Sequence, residues 1–406
     1  MQYHSARIVQ DIFSRYYMSR ANSISPPSSI GQREFGFILQ DKGIMLRHKS
    51  FDEVNLLKQF LASTGPSDVY YSAAYYESPT ADMDKKGWKG ADLIFDIDAD
   101  HFTTPCNKTH DNWACSNCGF KDKGPSPKQC PQCGKAKFDT KTWMCEKCLE
   151  SAKAETIKLS DLLLEDFGFA DDDMKVYFSG HRGYHVHIES KDIHLLDSMA
   201  RKEVVDYIIG LGFNAEFHKL IDKERLVLGS NSMGWKRRIV NGISNLLEKA
   251  TPKEIEDIGI SKKSAEHLKE NRKMLINDLK DKGRVHTKGV GPKDWQSIIQ
   301  LIVDRQSAKV DTVVTTDIHR LIRMAGSLHG KTGFLKIEVP LTSLTKFDPL
   351  NEAIAFKDGQ MDVDVAETPE FRIGNITYGP FEKKRAELPT AAAIFLLCKG
   401  AAKVVN

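Results

Sequence analysis

Seven of the eight cysteines fall between Cys106 and Cys148, and the eighth, Cys398, stands alone near the C-terminus. Three pairs within that stretch have two residues between them: Cys115/Cys118, Cys130/Cys133 and Cys145/Cys148. Thiolates three positions apart converge on one ion from a tight turn, a spacing that a disulfide framework has no need to repeat. With His110 the stretch offers eight ligands, enough for two tetrahedral sites. The inner four, Cys115, Cys118, Cys130 and Cys133, have zinc-ribbon spacing. Gly119 and Gly134 each follow the second cysteine of a pair, where a knuckle turns with positive φ. The outer four are Cys106, His110, Cys145 and Cys148. The competing readings are redox pairs or a disulfide knot. A segment this rich in Lys, Pro and Gly, however, has little besides metal to fold around. Free thiols in this number also point to a reducing compartment.

The rest of the chain is long enough for more than one core. Its 406 residues are 41% hydrophobic, and two or three units are expected. The 58 basic and 55 acidic side chains leave a net charge of +3, which excludes a uniformly basic nucleic-acid coat and confines any polyanion site to a local patch. The longest apolar run, Ala391–Cys398, is far short of the roughly 20 residues that span a membrane. The mixed polar and apolar residues of Met1–Tyr16 do not read as a secretory signal.

The pattern predicts an α+β fold with two insertions. Residues 1–194 form the first part of an α+β core, interrupted at 105–149 by the cysteine segment. Strands are expected at Val69–Tyr76, Ala91–Ala99, Met174–Phe178 and Tyr184–Ile188, the last two forming a hairpin through Ser179–Gly183. Ala152–Phe167 has helical periodicity. Residues 195–305 become helical and charge-dense, with little strand signal, and read as a helical insertion domain. Residues 306–406 return to the α+β core, with strand-like runs at Val310–Val314 and Gly333–Val339 and a C-terminal helix expected over Thr390–Val405.

The sharpest chemistry lies in Ala91–Asp100. On a strand, Asp96 and Asp98 project to one face and Phe95 and Ile97 to the other. Adjacent carboxylates repel, a divalent cation relieves the repulsion, and hard oxygen ligands suit Mg²⁺ or Mn²⁺. Paired strand-borne aspartates support two-metal phosphoryl transfer. Phosphate-binding chemistry appears twice. The loop Ser179-Gly-His-Arg-Gly-Tyr-His185 combines glycines, which let backbone N–H groups approach an anion, with the fork of Arg182. Further on, Arg320, Arg323, His329 and Lys331 cluster around Gly326 and Gly330. Each of these segments, alone, also reads as a solvated strand end, a polar hairpin or a charged helix.

Together they resemble the catalytic small subunit of archaeal and eukaryotic-type DNA primases, over nearly the whole chain. Arg33-Glu-Phe-Gly-Phe37 and Tyr70–Pro79 look like that family's N-terminal segments, and Phe95-Asp-Ile-Asp98 is similar to its metal-binding motif. Ser179–His185 looks like its nucleotide-binding motif and Arg320–Lys331 like its third motif. In the family a third metal-binding aspartate precedes the histidine of the last motif by eighteen residues, which from His329 is Asp311 rather than Asp317. The resemblance implies Asp96, Asp98 and Asp311 as ligands of two Mg²⁺ or Mn²⁺ ions. It also implies Ser179, Arg182, His185, His329 and Lys331 around the incoming nucleotide, and Cys106, His110, Cys145 and Cys148 as the family's zinc site. The inner ribbon is inserted within that site, and His181 stands where some relatives carry a second arginine.

The expected activity is that of a DNA primase. It makes short primers on single-stranded DNA from nucleoside triphosphates for DNA replication, in the cytoplasm, with a separate large subunit as partner and two structural zinc ions. The alternatives are a repair or translesion polymerase of the same superfamily, or a zinc-ribbon DNA-binding accessory protein with an inactive polymerase fold.

Overall fold

A computed structural model of the chain describes residues 3–39, 44–102, 104, 106–222, 225–229, 232–286 and 289–405. Pro105, the predicted start of the cysteine segment, lies outside them. The chain forms two compact units, one built from Met1–Ile157, Asp171–Lys202 and Val310–Asn406, the other from Lys158–Ala170 and Glu203–Lys309.

The first unit holds two four-stranded antiparallel sheets. One runs Leu321–Arg323, Asp68–Ser72, Phe35–Ile38, Met45–Lys49; the other runs Ile337–Glu338, Met174–Phe178, Gly183–Ile188, Leu93–Asp98. The Leu93–Asp98 strand forms where its sequence is most apolar: Leu93, Ile94, Phe95 and Ile97 are buried, and only Asp96 and Asp98 keep some exposure. Its entry is fixed by buried charge. Asp92 accepts from Arg33 Nη2 and Tyr75 Oη, both at 2.7 Å, while Arg201 donates to the carbonyls of Ala91 and Asp92 at 2.7 and 2.8 Å. The neighbouring strand approaches so closely that a Cβ on Gly183 would lie 2.1 Å from the Ile97 carbonyl oxygen. Only glycine allows the register that pairs Gly183 with Asp98 and His185 with Asp96.

Two sequence expectations change here. Val310–Val314, which reads as strand-like, contributes to a helix, Thr312–Thr316, because the Asp311 carboxylate caps it by accepting the Val313 N–H at 2.9 Å. Local capping outweighs β-branched propensity. The C-terminal helix ends at Cys398, and Ala402–Val404 turns back as a strand on Gln360–Val365, whose other edge pairs with Lys384–Pro389.

That helix buries every residue from Ala392 to Leu397. Burial of each large apolar side chain contributes about 1.5–3 kcal/mol, and a domain's net stability is only about 5–15 kcal/mol. Deleting residues from Glu387 onward is therefore expected to lower the melting temperature of the isolated chain by at least about 10 °C. Unchanged melting would show that the apolar run serves an interface instead.

In the cysteine segment, Asn112–Cys115 pairs on one side with Lys121–Lys123 and on the other with Phe138–Lys141. Buried Trp113 packs against Phe120 and Phe138, which is most of this small sheet's apolar content.

The second unit packs helices, among them Gly234–Lys249, Arg272–Lys282 and Pro292–Gln306, around Trp235, Ile239, Ile243, Trp295 and Ile299. It also contains three short strands, Ile221–Asp222, Arg225–Val227 and Arg284–His286. Segments of two or three residues are too short to show an alternating pattern, so the sequence carries no trace of them.

Candidate active site

The strand pairing assembles the carboxylates and the hairpin loop. His185, opposite Asp96, places Nε2 at 3.4 Å from Asp96 Oδ1. Asp311 enters from a different part of the chain: its N–H donates to the Asp96 carbonyl at 2.8 Å, and its Oδ2 lies 3.6 Å from His101 Nδ1. Burial, reinforced by the fields of Asp98 and Asp311, pushes the Asp96 carboxyl up to about 7. Burial also raises Asp98, against the opposing fields of Arg182, His101, Lys331 and Lys399. Asp96 and Asp98 crowded in this way resist joint ionisation, and a divalent cation is the partner that makes joint ionisation favourable. The donor set of hard oxygens fits Mg²⁺ or Mn²⁺. Among the described residues the carboxylate-containing group whose ligand atoms lie within 4.8 Å of one another is Asp98, Asp100 and His181; Asp96 and Asp311 are not drawn into a group that tight. Asp317, six positions on, caps the His319 N–H at 3.0 Å, and its field falls on Tyr76 rather than on Asp96.

The basic residues divide into engaged and open ones. Buried Arg182 donates from Nη1 to both Asp111 oxygens at 2.9 Å, to the Trp143 carbonyl at 3.2 Å, and from Nη2 to Asp100. Arg323 is consumed by buried Asp68, which also accepts the Gly330 N–H at 3.0 Å. Ser179 Oγ accepts the His181 N–H at 3.3 Å. His329 stacks on His181 with ring centroids 5.1 Å apart, and its Nδ1 accepts the Lys331 N–H at 3.1 Å. Burial first, then neighbouring cations, holds His181, His185 and His329 well below the usual imidazole range, so all three are neutral. Lys331 is exposed and carries no ion pair among the described residues.

Both cysteine sets converge. In the outer set Cys106 Sγ lies 3.3 Å from Cys148 Sγ and 3.4 Å from Cys145 Sγ. His110 Nε2 lies 3.3 and 3.4 Å from the sulfurs of Cys145 and Cys148. In the inner set Cys115–Cys133 and Cys118–Cys130 are 3.5 and 3.7 Å apart. Ligands on a tetrahedral zinc with bonds near 2.3 Å sit roughly 3.8 Å apart, so both sets fit the ion. Gly119 and Gly134 have φ of +74° and +70°, as a knuckle requires. Asp111 joins the outer set to the hairpin, accepting from His110 Nδ1 at 2.8 Å while it holds Arg182. That arrangement fixes the imidazole tautomer with Nε2 free for metal.

A family model described as DNA primase small subunit matches residues 136–341. A DNA primase small subunit PriS of Cenarchaeum symbiosum (strain A) is 34% identical over 407 residues, covering 97% of each chain. One from Archaeoglobus fulgidus is 35% identical over 392 residues, covering 96% of this chain and 95% of the relative. One from Methanothrix thermoacetophila is 33% identical, with 97% of each chain covered.

The chain belongs to the DNA primase small subunit family.

As a primase small subunit, it carries the mixed α+β core and the cysteine clusters suited to zinc that its sequence predicts. Among the described residues no helix is long and apolar enough to cross a membrane. Sequence reasoning missed Asp111, Asp100, His101 and Lys399. Asp111 alone left a local signal, a carboxylate next to a metal-type histidine. Asp100 and His101 directly follow the Asp96–Asp98 pair but take their contacts only through the fold, and Lys399 has no such signal nearby.

Proposed function

We propose that this primase small subunit makes primers by two-metal nucleotidyl transfer on single-stranded DNA, with Asp96, Asp98 and Asp311 as the metal-holding carboxylates. The observation that carries this reading is the register of His185 on Asp96 and Gly183 on Asp98, with Asp311 tied to the Asp96 backbone. It sets three acids from two distant segments against the phosphate-type loop. When bound, divalent ions at this centre supply activation of the attacking 3′-hydroxyl and neutralise charge on the triphosphate and the departing pyrophosphate. The chain's own residues do the rest. Neutral His185, held against Asp96, orients that carboxylate. Ser179, His329 and Lys331 line the side on which the phosphates lie, and Arg182 anchors the loop through Asp100 and Asp111. Joining two nucleotides without a duplex primer makes orientation a large part of the barrier, which suits a site built on paired strands rather than on a mobile loop. Zinc in both cysteine sets is structural, since each has four protein ligands and no open position. A separate large subunit is the expected partner, and the cytoplasmic replication machinery the expected setting.

De novo dinucleotide synthesis on unprimed single-stranded template tests the reading. Extension of a supplied primer without initiation would identify a repair-type polymerase. Template binding without synthesis would identify an accessory protein.

The bond of the Asp311 N–H to the Asp96 carbonyl supports Asp311 over Asp317 as the third carboxylate. Asp311→Asn is expected to lower synthesis at saturating Mn²⁺ by at least about 100-fold, while Asp317→Asn stays within a few-fold of wild type. Loss of activity in the Asp317 variant alone would reverse the assignment.

A further inference from the structure

Lys399 follows the Thr390–Cys398 helix, beyond the segment that the family model matches, which ends at residue 341. The fold nevertheless brings it to the hairpin loop. Its Nζ lies 2.9 Å from His181 Nε2 and 3.2 Å from the Thr142 carbonyl oxygen, and 5.8 Å from the centre of the Phe395 ring. No carboxylate bonds it among the described residues. Burial, followed by the fields of Arg182 and Lys331, pushes its ammonium down to about 7. Asp111, a carboxylate whose field opposes that fall, is already engaged by Arg182 and His110. Lys399 and Lys331 thus flank the stacked neutral rings of His181 and His329 with no carboxylate in direct contact among the described residues; Asp98 acts on them only through its field. Holding a half-buried ammonium beside other cations is unfavourable in the isolated chain. It becomes favourable once an anion with several oxygens occupies the space between them.

We propose that Lys399 is a phosphate-binding residue of the nucleotide site, reaching the triphosphate from the C-terminal helix beside Lys331. The proposal rests on reading the Ser179–His185 hairpin as the phosphate loop. It gives the C-terminal helix a second role besides packing, and it predicts that Lys399 discriminates by phosphate number rather than by base.

The test is equilibrium binding of ATP and of AMP, with Mn²⁺, to the full chain and to Lys399→Gln, Lys399→Met and Lys399→Arg. Loss of one charge-assisted bond is expected to weaken ATP binding of the Gln and Met variants about 10- to 100-fold and to move AMP by less than about twofold. The Arg variant restores most of the loss. In steady-state synthesis the nucleotide KM rises more than kcat falls. Melting temperature stays level or rises, because like-charge repulsion is relieved. That is the opposite of what a purely structural lysine gives, and the Met variant keeps the alkyl stem over Phe395 should the Gln variant fold poorly. If the wild-type chain binds ATP no tighter than AMP, the phosphate-loop reading fails. If it discriminates and both variants discriminate equally well, or melt lower without rescue by arginine, the reading stands and the assignment of Lys399 is overturned.

Discussion

Asp98→Asn and Asp96→Asn are each expected to reduce primer synthesis by roughly three orders of magnitude or more, the several kcal/mol that metal-assisted charge stabilisation supplies. Both variants should stay folded. The carboxylates sit at the end of a strand whose apolar residues are already buried, so replacing either leaves no cavity and removes a like charge. Measured without divalent ions, the Asp96 variant should melt at or above wild type. The sign follows from the shift: Asp96 rises from 3.8 to about 7 on folding. The wild-type chain is therefore undisturbed by this group below about pH 4 and loses stability as pH rises toward 7. The advantage of Asp96→Asn should grow across that window and level off above it. Adding Mn²⁺ should reverse the order, stabilising wild type and leaving the variant unmoved. Primer synthesis beside melting curves at several pH values checks both halves, and near-normal synthesis by either variant would refute the metal assignment.

The second large effect separates the two cysteine sites. Elemental analysis of the intact chain is expected to give two zinc ions. Cys145→Ser should destabilise the protein and abolish activity, whereas Cys130→Ser should spare the fold. The outer site joins the loop that leaves the catalytic strand, through Cys106 and His110, to the start of the Glu146–Glu165 helix, through Cys145 and Cys148. It also feeds Asp111, which holds Arg182 and, through it, Asp100. Structural zinc contributes apparent binding energies of about 10–16 kcal/mol in small domains, comparable with the whole stability of a domain. Losing it therefore loosens the strand end that carries Asp98. The inner ribbon has its own small sheet around Trp113 and exposes Lys121, Lys123, Lys128, Lys135 and Lys137. Such a surface suits template phosphates, so Cys130→Ser should mainly weaken single-stranded DNA binding and flatten its salt dependence. One zinc per intact chain would refute the two-site arrangement. Equal loss of stability in the two variants would refute the division of labour.

Much of the candidate site is legible because its chemistry is compressed into short segments. Asp96 and Asp98 share a face by the two-residue period of a strand, and the cysteine pairs announce themselves by spacing. Gly119, Gly134 and Gly183 mark places where the backbone turns or closes tightly. Asp311, upstream of the basic motif on a strand-like run, was a candidate carboxylate that only resemblance to a family singled out. Its local setting reads as a strand, and the capping bond that makes it a helix start depends on where the chain is already held. Asp111 is marked in the sequence only by its neighbour His110, since its link to Arg182 spans the chain, and Lys399 was not legible at all, since its partners His181 and Thr142 lie far away.

The sequence by itself determined the strand that carries Asp96 and Asp98, the hairpin that pairs with it, the two cysteine sets spaced to suit a metal ion, and the pairing of acids on one strand face. These are local properties, set by backbone geometry and side-chain chemistry within a few residues. Only the tertiary structure decided which cations remain open to a ligand. Arg323 and Arg182 look as available in the sequence as Lys331 does, yet Asp68 takes the first, and Asp111 and Asp100 take the second. Burying a charge is unfavourable without a partner, and the partner is chosen by the fold from anywhere along the chain. By the same rule Lys331, unpaired among the described residues, stays exposed; Lys399 is the exception, largely buried with the Thr142 carbonyl and His181 in place of a carboxylate.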